Sequence, residues 1–221
     1  MKSYCEDYKK FWTHGKTERE CVRLAVRMLK KAGYKPFDPK ASYEPGDKVY
    51  YVNREKSVIA TTFGKKPLTD GLRINGAHID SPRLDLKQNP LYENSEIAYL
   101  DTHYYGGIKK YQWVTLPLAL HGVIVKKDGT KVMVNIGEKE DDPVFCVSDL
   151  LVHLANDQMQ KKAASVIEGE DLNVTFGSMP LTERKGQGEG QCAEAARRAL
   201  CDRRRGFHLG RDRSRAGRPR A

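Results

Sequence analysis

His78 and Asp80 stand two residues apart in the segment Gly76-Ala-His-Ile-Asp-Ser-Pro. On a strand, residues i and i+2 project from the same face, so one imidazole and one carboxylate would share a location. A neutral imidazole gives a lone pair to a divalent metal, and a nearby carboxylate fixes its tautomer or acts on a bound water. The pair therefore has the chemistry of one corner of a metal site. It also fits a plainer reading, a histidine and an aspartate hydrogen-bonded at a strand end. A single His-x-Asp leaves both open, and one imidazole suits zinc, cobalt or manganese equally.

Other residues with chemical potential have weaker patterns. His14, His103, His121 and His208 show no HExxH or comparable ligand spacing and read as polar or packed residues; His103 stands out because it precedes Tyr104-Tyr105-Gly106-Gly107. Gly15-Lys16-Thr17 lacks the first glycine of a phosphate loop, since Lys10 stands there. Cys146, between Phe145 and Val147, has no basic neighbour to lower its pKa and reads as a structural thiol. Ser81 has no histidine and aspartate in the order a serine hydrolase needs. Lys109-Lys-Tyr-Gln-Trp113 mixes bases with aromatics, as single-strand binders do, but reads as a solvated turn entering a buried strand.

The elements that must position His78 and Asp80 follow from periodicity. Phe11, Trp12, Cys21, Leu24, Ala25, Met28 and Leu29 recur at spacings of three and four, which predicts an amphipathic helix over 7–32, broken near Gly15 and stopped at Gly33. Lys48–Val52 and Ser57–Phe63 are β-rich runs around Asn53–Lys56, a hairpin or adjacent strands. Leu72–Asp80 reads as a strand ending in the polar cluster. Trp113–Val125 and Lys131–Ile136 flank an Asp-Gly turn and form a second hairpin. Ser148 or Asp149 would cap a helix through Leu150, Leu154 and Met159 to about 164, and 171–177 is a further strand. The fold class is α/β, with a catalytic-type layer over 1–95, a β-rich module over 96–180 and a tail over 181–221.

Composition bounds the partners. The chain has 221 residues, 39% of them apolar, and five cysteines (Cys5, Cys21, Cys146, Cys192, Cys201) with no CxxC spacing. This argues against a disulfide framework or a thiolate zinc site and fits a reducing, cytoplasmic setting. No apolar run approaches the roughly 20 residues of a membrane helix, and the opening MKSYCEDYKKFW lacks a signal sequence's apolar stretch. The net charge of +10 would point to nucleic acid, but residues 1–180 carry 27 basic and 24 acidic side chains while 181–221 carry 12 and 5. The bases also change type, from 21 Lys and 6 Arg to 1 Lys and 11 Arg. The tail is thus either an arginine-rich arm, which would make the protein a non-enzymatic module binding nucleic acid or a partner, or an out-of-frame reading of a GC-rich gene. Codons permitted for Ala196 to Arg220, displaced by one nucleotide, can give LAALYVIDEEDFISAEIEVVPAGP, a helix end, an acidic turn and an alternating strand. The out-of-frame reading is the expectation, and with it nucleic-acid binding is not.

The strings GAHIDSPRLDLKQNPLYE, THYYGGIKKYQWVTLPLALHG and DDPVFCVSDLLVHLANDQM, in this order, resemble the dinuclear zinc aminopeptidases of the aspartyl aminopeptidase and vacuolar aminopeptidase I type, most closely the bacterial members. The resemblance covers nearly all of residues 1–180. It implies an incomplete zinc-peptidase-type layered α/β domain with an inserted β-rich dimerisation module, two zinc ions in the complete site, a peptide substrate and a homo-oligomer. It implies zinc ligation by His78, a catalytic role for Asp80, and for His153 a reach into a neighbouring subunit's substrate site. The family's bridging Asp, its Glu pair, its further Asp and its late His have no counterpart here, so the resemblance implies a chain inactive alone. Each catalytic zinc takes about three protein ligands, and a single imidazole cannot hold two.

Overall fold

The computed structural model describes residues 2–178 and the backbone of 208–211. It divides into two compact units, residues 1–81 and 82–221.

The first unit begins with helices α1 (Lys2–His14) and α2 (Glu18–Lys31), so the predicted helix does break at Gly15. A Cβ on Gly15 would lie 2.9 Å from the Cys21 sulfur, so only glycine lets the chain turn this closely on α2. Thr17 then starts α2 with a reciprocal capping box: its hydroxyl accepts from the Glu20 amide, and the Glu20 carboxylate accepts from the Thr17 amide. Strands β1 (Lys35–Pro36), β2 (Lys48–Asn53) and β3 (Ser57–Thr62) form a sheet in that order, β1 parallel and β3 antiparallel to β2. The β2–β3 turn holds Arg54 and Glu55 at φ 50° and 61°, unfavourable for non-glycine residues. Arg19 supports it from α2, donating to the Arg54 carbonyl at 3.3 Å and to the Glu55 carboxylate at 3.0 Å. Helix α2 packs on this hairpin, and Cys21, Val22, Val49 and Tyr50 are the unit's buried apolar residues.

The second unit is built on strands β4 (Arg83–Asn94), β5 (Ile97–Tyr105), β6 (Leu118–Val125), β7 (Lys131–Ile136), β8 (Cys146–Val147), β9 (Val174–Gly177) and β10 (His208–Arg211), with one α-helical turn among the described residues, α3 (Asn156–Met159). The sheet order is β7-β6-β10-β4-β5-β9-β8. Isolated bridges Val114–Val147 and Leu118–Phe145 tie its β8 end back to the approach of β6, so the sheet curls on itself. Leu84, Leu100, Leu118, Leu120, Leu172 and Val174 fill the interior and are essentially inaccessible.

Three readings of the sequence change here. The unit boundary falls at 81/82 rather than 95/96, because β4 pairs with β5 from Arg83 to Asn94; position 95 is in the turn of that hairpin. The strand expected from Trp113 starts only at Leu118, after Pro117, whose ring removes a ladder donor. The helix expected from 149 to 164 is a 3-10 turn, Val152–Leu154, followed by the single turn α3, and Leu150, Leu151, Val152, Leu154 and Met159 are all exposed. A helix of this length is stabilised chiefly by burying an apolar face, and among the described residues that face has nothing to pack on. Of the tail over 181–221, the backbone of His208–Arg211 forms β10 between β4 and β6; the rest lies outside the described residues.

Candidate functional site

His78 and Asp80 lie on a segment, 71–82, with no regular secondary structure, so the predicted strand over 72–80 is not formed. A strand needs a neighbour to take its backbone groups and apolar side chains, and among the described residues none pairs with this segment. Leu72 and Ile74 are accordingly 65% and 82% exposed.

Strand alternation therefore does not bring the pair together; a local contact does. His78 Nδ1 lies 3.0 Å from the Asp80 backbone carbonyl and 3.4 Å from its Oδ1. A carbonyl oxygen can only accept, so Nδ1 carries the proton and, in the neutral ring, Nε2 keeps its lone pair. That is the tautomer a metal ligand needs, and the contact that sets it comes from the predicted partner. The His78 side chain is 84% exposed and the Asp80 side chain 35%.

His153 sits on the exposed 3-10 turn Val152–Leu154 of the second unit. His121 is buried in β6, its Nε2 2.8 Å from a Glu138 carboxylate oxygen, the packed role read from its sequence context. His103 stacks on Tyr104 with ring centroids 5.5 Å apart. The sequence reading missed the charged pair directly after the motif. Arg83 Nε donates to Asp85 at 2.7 Å, and its guanidinium lies 4.0 Å from the centre of the Tyr105 ring. The available signal was Arg-x-Asp on one face of a strand opposite the aromatic loop.

The donor set tests the fit of a metal. Among the described residues no group of three or more His, Cys, Asp or Glu is placed to hold an ion. One imidazole and one carboxylate fall short of the roughly three ligands a catalytic zinc takes. These residues can orient an imidazole and offer its Nε2, but they do not make a hydrolytic centre.

Comparison with known proteins places this corner in context. The model of the family described as aminopeptidase I zinc metalloprotease (M18) matches residues 11–203. A probable M18 family aminopeptidase 1 of Clostridium acetobutylicum is 59% identical over 180 residues, covering 80% of this chain and 39% of its own length. The crystal structure of an M18 aminopeptidase from Thermotoga maritima superposes with a TM-score of 0.85 at 36% identity, over 95% of this chain and 47% of that one. The mApe1 dodecamer of yeast shares the fold, with a TM-score of 0.64 at 18% identity, over 94% of this chain and 48% of that one. The chain spans about two-fifths of the length of the curated relatives it matches.

Proposed function

From the premise that this chain belongs to the aminopeptidase I zinc metalloprotease (M18) family, we propose that it carries one corner of a metal-dependent aminopeptidase that releases N-terminal residues from peptides. In this reading His78 is a zinc ligand through Nε2, and Asp80 holds its ring and acts beside the metal. The observation that carries it is the Nδ1–Asp80 contact within Gly76-Ala-His-Ile-Asp-Ser-Pro, which selects the ligand tautomer. Zinc, when bound in a complete centre, polarises the scissile carbonyl and acidifies a bound water. This chain's own part is narrower: to present one nitrogen and fix its proton on the other. Among the described residues the remaining ligands are missing, so the isolated chain is expected to be inactive.

Residues 96–180 are, in the same reading, the dimerisation module of a homo-oligomer, with His153 reaching toward a neighbouring subunit's substrate. The exposed run Leu150, Leu151, Val152 and Leu154 supports this, since an apolar surface of that kind marks an interaction site. The tail is read as out of frame, and the nucleotide sequence around codons 180–222 tests that directly. Residence in the cytoplasm agrees with the free thiols of Cys5, Cys21 and Cys146. Among the described residues no helix is long and apolar enough to cross a membrane.

The decisive assay incubates the purified chain with zinc and leucine- or aspartyl-p-nitroanilide. The expected result is no turnover above the zinc-only blank. Turnover by the isolated chain that disappears in His78→Ala would overturn the claim of inactivity, and turnover untouched by His78→Ala would overturn the assignment of the site.

A further inference from the structure

Asn75-Gly76 is the only Asn-Gly pair in the 221-residue sequence. The Gly76 amide nitrogen is bonded to the Asn75 carbonyl carbon, so its attack on the side-chain Cγ closes a five-membered ring. That nitrogen loses its proton to hydroxide and bonds to Cγ, while the side-chain nitrogen takes up a proton and leaves as ammonia. Water then opens the cyclic imide at one carbonyl or the other and returns a hydrogen to the nitrogen, leaving aspartate or isoaspartate at position 75. The reaction consumes one water and needs no cofactor.

Two conditions decide whether it runs in a folded chain. The attacking nitrogen must be unhindered, which a following glycine provides by having no Cβ. The asparagine backbone must also be free to rotate, which a ladder or helix prevents until it opens. Both conditions are met at Asn75. Asn75 and Gly76 are exposed on a segment with no regular secondary structure. A Cβ built on Gly76 would meet no atom within 4 Å. Asn94-Ser95 is the contrast within the same chain. Asn94 is exposed too, yet it pairs with Ile97 at the end of β4, and its Oδ1 accepts from the Ser95 hydroxyl at 3.2 Å. Ser95 adds a side chain at the attacking residue. Asn89 precedes Pro90, whose nitrogen has no proton to lose.

We propose that Asn75-Gly76 is a site of spontaneous deamidation, a slow chemical switch on the segment that carries His78. Either product adds a negative charge three positions before that imidazole. Isoaspartate also inserts a methylene into the backbone, so side chains before and after position 75 no longer alternate in one register. A chain modified in this way is denied a regular strand ladder across Leu72–Asp80. The proposal stands on the exposure and chemistry of the pair and holds whether or not His78 binds zinc.

The test incubates the full chain beside a synthetic peptide of residues 71–82, at neutral and mildly alkaline pH. Peptide mass mapping follows each asparagine, and enzymatic methylation counts isoaspartate. Position 75 in the chain should deamidate within about tenfold of the peptide's rate, because opening costs almost nothing on an unpaired segment. The rate should rise with pH as more of the Gly76 amide is ionised, and Asn94 should keep its amide over the same period. Gly76→Ala should slow the reaction by about tenfold or more, since it puts a Cβ beside the attacking nitrogen. Asn75→Gln, which would need a larger ring, should stop it at that position. Both substitutions are at exposed positions and should leave the circular dichroism unchanged. A rate in the chain more than about tenfold below the peptide's would overturn the proposal. So would loss of the Asn94 amide as fast as that of Asn75, or a rate indifferent to Gly76→Ala.

Discussion

The two units bury apolar side chains to very different extents. In the second, Leu84, Leu100, Leu120 and Leu172 are wholly enclosed by a sheet that curls on itself. In the first, burial reaches only Cys21, Val22, Val49 and Tyr50, while Tyr4, Tyr8, Ile59, Leu72 and Ile74 remain half to four-fifths exposed. The difference lies in packing partners, not in loss of family pattern, because 59% identity to the Clostridium relative extends over 180 residues and so across both units. The second unit closes a core of its own, although its run Leu150, Leu151, Val152 and Leu154 stays exposed. In the unit that carries His78 and Asp80, segment 71–82 has no strand neighbour among the described residues.

Truncation inside the closed core is the strongest way to challenge that contrast. Leu100→Ala should cost about 2–5 kcal/mol in urea unfolding, the range for a buried leucine that leaves a cavity. Ile59→Ser, in the open face of the first unit, should change stability by less than about 0.5 kcal/mol, as exposed substitutions generally do. Equal costs at the two positions would mean that the first unit is as well packed as the second.

Much of this arrangement was legible from sequence where a local rule sufficed. The break at Gly15 and the Asp-Gly turn between β6 and β7 each follow from a residue whose conformational preference acts within a few positions. The β4–β5 hairpin was not legible. Its turn places Ser95 and Glu96 at φ 51° and 61° without the usual glycine, and Pro90 interrupts β4 near a register shift between Leu86 and Leu91. The strand over 72–80 and the helix over 149–164 failed for another reason: their patterns are correct for burial, but burial needs a partner. At the site, the nearness of His78 and Asp80 was readable from their spacing. The backbone carbonyl as the group that fixes the tautomer was not, since the contact arises on an irregular segment and not on a strand.

A smaller effect sharpens the first unit's side of the comparison. Thr17→Ala removes the hydroxyl that accepts from the Glu20 amide and should cost about 1 kcal/mol, measured as lost helical signal and a lower melting temperature. Because α2 carries much of the first unit's limited packing, the loss should be confined to residues 2–62, with β4 and β5 unaffected.

The smallest effect is electrostatic and belongs to the second unit. Lys87 has its pKa raised by hydrogen bonds to Glu170 and then Asp101, at 2.8 and 3.0 Å, while burial raises that of the Tyr92 hydroxyl. Both shifts are upward, so their stabilisation is complete below the ordinary values of about 10 and is lost as pH climbs through the raised ones. Melting temperatures recorded between pH 8 and 11 should fall at the alkaline end, and Lys87→Met should flatten the fall. A flat wild-type profile over that range would remove these two groups from the account.

The most direct measurement is hydrogen exchange on the full chain, read segment by segment. Amides of β5 and β6 should be protected by several orders of magnitude, as in a cooperatively closed core, while those from Leu72 to Asp80 exchange near the rate of an unstructured peptide. Protection across 72–80 matching that of β5 would contradict the claim that the segment carrying His78 and Asp80 has no strand partner among the described residues.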